Sequence, residues 1–96
     1  MIDKSEIIKI LEQNKSLLFS RYPIKSLGLF GSAVRDDFNA TSDIDILVDF
    51  SQPVGIEFID LADTLEKILN QKIDLVSRNG IKPKYFREIE KDLLYV

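Results

Sequence analysis

Residues 42–50 read SDIDILVDF, and their apolar side chains fall at every second position: Ile44, Ile46, Val48 and Phe50. Side chains of a β-strand point alternately to opposite faces. The pattern therefore predicts a half-buried strand, with Asp43, Asp45, Leu47 and Asp49 on the opposite face. Upstream, Ile24 to Phe30 is a short apolar run that reads as another strand. Gly31 and Ser32 break it, and Ser32 is placed to cap a short helix from Ala33 to about Asp37. Asn39–Ala40–Thr41–Ser42 is loop chemistry. Downstream, Gln52–Pro53–Val54–Gly55 turns the chain, and Phe58, Leu61, Ala62, Leu65, Ile68 and Leu69 recur at helical spacing. Lys72 to Ser77 reads as a third strand and Asn79–Gly80 as a turn. Pro83 can open a last helix that carries Phe86, Ile89 and Leu93 inward.

At the start of the chain, Asp3 to Glu6 has the form of a capping box. Ile7, Ile8, Leu11, Leu18 and Phe19 form the buried stripe of a first helix ending near Tyr22–Pro23. The expected order is α-β-α-β-α-β-α, without repeat, linker or low-complexity tract. This is an α/β (α+β) arrangement in which helices pack on a small mixed sheet. Its 96 residues make a single domain, 1–96, with little apolar core in reserve, so self-association or a hetero-oligomeric partner is expected to contribute to its stability.

Composition narrows the chemistry. Thirteen Lys and Arg stand against sixteen Asp and Glu, a net charge of −3. The basic excess by which nucleic-acid binders neutralise phosphates is missing, so direct nucleic-acid binding is not expected. There is no cysteine and no histidine. That removes disulfides, thiolate sites, Ser-His-Asp and Cys-His catalysis, and the commonest zinc ligand. A bound metal would be held by oxygen, as Mg²⁺ or Mn²⁺ are. No apolar run approaches the roughly 18 residues of a membrane span, and MIDKSEIIKILEQ scatters charges through its apolar positions, unlike a signal peptide. The expected location is the cytoplasm.

The candidate site lies on the polar face of the 42–50 strand. Residues two apart on a strand are roughly 6.5–7 Å apart. Carboxylates at that spacing can converge on a pair of divalent ions about 3.5–4 Å apart. Taken alone, Asp43-x-Asp45 also fits a solvated sheet face. Gly31–Ser32, between strand and helix, presents N–H groups of Ala33 and Val34 that suit a triphosphate, with Gly31 permitting close approach. Taken alone, it also fits an ordinary helix cap.

Together the two features read GSAVRDDFNATSDID, with ten residues between Ser32 and Asp43. This stretch resembles the fingerprint of the DNA polymerase β nucleotidyltransferase superfamily: Gly-Ser, about ten residues, then Asp-x-Asp among apolar neighbours. Within it, the chain looks most like the minimal nucleotidyltransferases, antitoxin partners of HEPN-domain toxins. The likeness extends through LGLFGS, SDIDILVDF and KIDLVS. The resemblance implies a polymerase β-like fold, with Gly31 and Ser32 holding the triphosphate and Asp43 and Asp45 binding metal. It implies a third carboxylate on a later strand, for which Asp74 is suitably placed as metal ligand or general base. Arg35 matches a basic position found after Gly-Ser in the family. It could hold a phosphate or pair with Asp36, Asp37 or Asp43.

The implied reaction is in-line attack on the α-phosphorus of ATP with pyrophosphate leaving, supported by two Mg²⁺. With no second lobe to hold an acceptor, the implied acceptor is a docked macromolecule: a tyrosine hydroxyl of a HEPN toxin, silenced by AMP. Two other readings compete: an antitoxin that only masks its partner, and a nucleotidyltransferase for a small acceptor. The local basic residues Arg78, Lys82, Lys84 and Arg87 read as a solvated face, and Asp49 as too far along its strand to join the site.

Overall fold

The computed structural model describes residues 2–35 and 42–96. Helix α1 spans Lys4–Arg21. Its first turn is capped by Asp3, whose Oδ1 accepts the Glu6 N–H at 2.9 Å. Strand β1 (Ile24–Phe30) follows Pro23, and β2 covers Ile44–Phe50. Helix α2 (Glu57–Leu69) stops where Asn70 takes a left-handed conformation, φ 52°. Strand β3 is Ile73–Ser77, α3 is Pro83–Glu90, and β4 is the short pair Leu94–Tyr95.

The four strands form one mixed sheet in the order β3-β2-β1-β4. β1 is antiparallel to both β2 and β4. β2 and β3 are parallel and are joined through α2, as a parallel pair needs a crossover. α1 and α2 supply the helical half of the core through Ile7, Leu11 and Leu18 and through Leu61, Leu65 and Leu69, all 3% exposed or less. The sheet answers with Leu27, Leu29, Ile44, Ile46, Val48 and Phe50. Burying each such side chain contributes about 1.5–3 kcal/mol, so this face fixes the sheet. A polar knot also joins the two helices. The Tyr22 hydroxyl donates to Asp60 Oδ2 at 2.6 Å and lies 2.7 Å from Thr64 Oγ1.

The other face is partly covered by α3 and the segment after it. A Cβ on Gly28 would sit 2.7 Å from Leu93 Cδ1 and 3.3 Å from the Leu94 carbonyl oxygen. Gly28 is thus the gap into which Leu93 packs. This explains why Leu47, opposite Gly28 in the β1–β2 ladder, is buried although it lies outside the α1–α2 core.

Three expectations change. The helix expected from Ala33 is, in the described residues, a single 3₁₀ turn at Gly31–Ala33 that Ser32 does not cap. Its projected end at Asp37, and the loop from Asn39 to Thr41, lie outside the described residues. The last helix stops at Glu90, so Leu93 reaches the sheet from beyond its end. Finally, β4 was not foreseen. No described helix is long and apolar enough to cross a membrane.

Candidate functional site

β2 and β3 run parallel with Asp45 aligned to Asp74. Aligned residues on neighbouring strands share a face and lie about 4.8 Å apart. Asp43 stands two residues before Asp45, half-buried, just ahead of β2. Burial, then the negative charges of Asp74 and Asp43, push the Asp45 carboxyl up to about 6, and Arg35 opposes the rise. This is the electrostatic signature of a site short of positive charge.

Gly31 backs the pair. Its φ is +72°, a region that costs an L side chain, and a Cβ there would collide with the Asp45 carboxylate, whose Cγ would be 3.1 Å away. Register explains the approach, because Phe30, the residue before Gly31, is paired with Asp45 in the β1–β2 ladder. Glycine is therefore required twice at this position. The Gly31–Ala33 turn closes on itself, with Val34 N–H and Arg35 N–H both donating to the Gly31 carbonyl, at 3.0 and 3.1 Å. Val34 N–H is thus engaged and does not face a ligand, contrary to the sequence-based expectation. Ser32 is half-buried inside this turn.

A cavity of about 490 Å³ opens beside these residues, within the usual small-ligand range of about 300–1,000 Å³. Gly31, Arg35 and Asp45 line one side, and Glu88, Ile89 and Asp92, from the end of α3 and just past it, line the other. Arg35 crosses between the sides, its Nη1 2.6 Å from Asp92 Oδ2. Of the acidic partners the sequence offers for Arg35, Asp36, Asp37 and Asp43, the first two lie outside the described residues. Asp92, 57 positions away, carried no local signal that could have found it.

Among the described residues no three acidic side chains are grouped tightly enough to hold a metal ion as they stand. The arrangement brings Asp45 and Asp74 together and leaves Asp43 within their electrostatic reach. The donors are all carboxylate oxygens, one of them with a raised affinity for a proton, and that chemistry fits a hard divalent cation.

Two other expectations concern residues outside the site. Arg78 stacks on the Phe86 ring, its guanidinium 3.7 Å from the centroid, so it belongs to the packing of α3. Asp49 pairs with Ser26, well along β2 from the carboxylate pair. A second cavity of about 480 Å³, lined by residues including Phe50, Pro53, Ser77 and Asn79, lies at the far end of β2 and β3.

Residues 4–96 match the nucleotidyltransferase domain family, and the chain belongs to it as a member of this enzyme class. It is 40% identical over 94 residues to a Methanocaldococcus jannaschii protein to which protein adenylyltransferase activity is ascribed, covering 96% of each chain. Over 97 residues it is 36% identical to the protein adenylyltransferase MntA of Thermococcus cleftensis, covering 100% of this chain and 98% of that one. Its fold superposes on a protein described as a minimal nucleotidyltransferase with a TM-score of 0.82 at 24% identity, over 97% of this chain and 95% of that one. It also superposes, with a TM-score of 0.59 at 24% identity, on a chain from a complex of a tri-AMPylated Shewanella oneidensis HEPN toxin with an MNT antitoxin, over 96% of this chain and 66% of that one. The helices on a four-stranded mixed sheet are the α/β nucleotidyltransferase fold, as the sequence led us to expect.

Proposed function

We propose that this protein transfers AMP from ATP to a tyrosine hydroxyl of a partner protein, a HEPN-type toxin, and so acts as its antitoxin in the cytoplasm. The observation that carries the reading is the in-register Asp45–Asp74 pair, in which Asp45 has a raised proton affinity and is backed by Gly31. The names of the relatives point the same way. Asp43, Asp45 and Asp74 would hold Mg²⁺. When bound, the metal neutralises phosphate charge and stabilises the attacking and departing oxygens.

The chain's own residues do the rest. The Gly31–Ser32 turn and the Arg35 guanidinium receive the phosphates at the cavity rim. Asp74, exposed beside Asp45, accepts the proton of the incoming hydroxyl. The tyrosine oxygen bonds to the α-phosphorus, the bond from that phosphorus to the β-phosphate bridging oxygen breaks, and pyrophosphate leaves. The cavity wall contributed by α3 is short, which leaves the acceptor to be presented by another protein.

A second reading, neutralisation by covering the partner, draws on the exposed Leu94 and Tyr95 of edge strand β4. One experiment separates the two. The partner is incubated with ATP, Mg²⁺ and a trace of this protein, then weighed by intact-mass spectrometry. Transfer adds one or more AMP units at substoichiometric enzyme, and the Asp43→Ala/Asp45→Ala variant adds none. Inhibition without added mass, needing equal amounts of protein and equally strong with the double variant, would establish masking.

A further inference from the structure

We propose that Asp92 is a positioning residue that holds the Arg35 guanidinium over the cavity in readiness for the triphosphate. The inference rests on the reading of Arg35 as a phosphate-binding residue. It adds a residue from the far end of the chain to that site.

Arg35 follows the Gly31–Ala33 turn and its side chain is 51% exposed, a setting in which a long cation ordinarily samples many rotamers. Here Asp92, itself only 24% exposed, holds Nη1 at 2.6 Å. Both residues line the cavity that contains Asp45 and Gly31. Asp92 engages the guanidinium at Nη1, one end of a rigid fork that carries five N–H donors. An arginine already anchored loses less freedom when a phosphate arrives, which is the general benefit of preorganisation. Asp92 sits just past α3 and shortly before β4, so the anchor also fixes the α3 wall relative to the phosphate turn.

The alternative role for such a carboxylate is competition with phosphate for the arginine. The contact favours anchoring, since Asp92 takes one nitrogen of the guanidinium, Nη1, and not both ends of the fork. The two roles predict opposite signs.

The test is a double-variant cycle on the whole chain, reading Mg·ATP affinity by calorimetry, and KM for ATP against kcat in the transfer assay. Asp92→Ala and Arg35→Ala should each weaken Mg·ATP binding about 5–30-fold, and the double variant should weaken it no more than Arg35→Ala alone. For Asp92→Ala, KM should rise while kcat stays within about threefold. Asp92→Glu should restore binding to within about threefold of the wild type. Asp92→Asn, which keeps the size and removes the charge, should behave like Asp92→Ala while melting close to the wild type. Should Asp92→Ala lower the melting temperature steeply, Asp92→Asn and Asp92→Glu carry the comparison. Unchanged or tighter ATP binding in Asp92→Asn would overturn the inference, and so would Asp92 and Arg35 effects that multiply independently. A wild-type protein that binds no Mg·ATP would instead bring down the parent reading together with this one.

Discussion

Asp45 and Asp74 lie side by side in register on parallel strands, so the fold forces together two groups that repel when both are ionised. Packing on the opposite face fixes this arrangement, since Ile44 and Ile46, on either side of Asp45, are fully buried. The site is therefore held in an electrostatically unfavourable state by core energy from elsewhere.

The first prediction concerns metal-free stability. The Asp45 carboxyl titrates near 6 in the folded protein, against an ordinary value of 3.8. A raised folded value means that the group's contribution to stability is fully present below about pH 4 and is lost as pH rises through about 6. At pH 7 in chelator, Asp45→Asn should therefore stabilise the fold by about 1–2 kcal/mol, after allowance for solvent screening. That corresponds to a rise in Tm of about 4–10 °C. The gain should shrink towards zero as the melts are repeated down to pH 4. A variant that melts below the wild type at pH 7 would make Asp45 a structural residue.

Metal binding should show the complementary dependence. A divalent cation must displace the proton that Asp45 retains below about 6. Affinity for Mg·ATP should be flat above pH 7 and fall about tenfold per unit below pH 6. Calorimetry across pH 5–8 checks this, and equal ATP affinity with and without Mg²⁺ would remove the metal from the site.

Gly31→Ala tests the backing of the pair. Positive φ alone costs an alanine about 1–2 kcal/mol, and the collision with Asp45 adds to it. The variant should melt at least about 5 °C lower and lose nucleotide transfer. Adding Asp45→Gly should recover part of the stability, because only the backbone cost then remains. No recovery would show that the carboxylate is not the obstacle.

Tyr22→Phe is the contrasting case. It removes the hydroxyl held by Asp60 and Thr64, far from the cavity in the helix layer. Loss of these bonds should cost about 1–2 kcal/mol, seen as a lower urea midpoint. KM for ATP should stay unchanged. A changed KM would indicate that the α1–α2 contact controls the site.

The placement of the candidate residues was legible where strand periodicity carried the information. Alternation in 43–50 put Asp45 on the face away from the core, and the short apolar frame around Asp74 aligned it with Asp45 on the neighbouring strand. Local rules failed where a contact was made at long range. Ser32 reads as a helix cap, but the turn starts at Gly31, two residues before the expected Ala33, and engages Val34 N–H within it. β4 is two residues long, too short for alternation to register, and exists because Gly28 admits Leu93 beneath it. Asp92 follows a short helix with no motif around it, and only the folded chain reveals that it meets Arg35.

The parallel pairing of β2 with β3 also bears on how fast the molecule folds and unfolds. Asp45 and Asp74 are separated in the chain by the whole of α2, so they meet only after that helix has docked and the crossover has closed. Contacts of such wide sequence separation tend to form late, after the folding barrier. Relief of the repulsion should then appear in one kinetic arm alone. In stopped-flow measurements without metal, Asp45→Asn should refold at the wild-type rate and unfold more slowly. A Mg²⁺ ion bound between the carboxylates would act in the same way, as a brake on unfolding rather than an aid to folding.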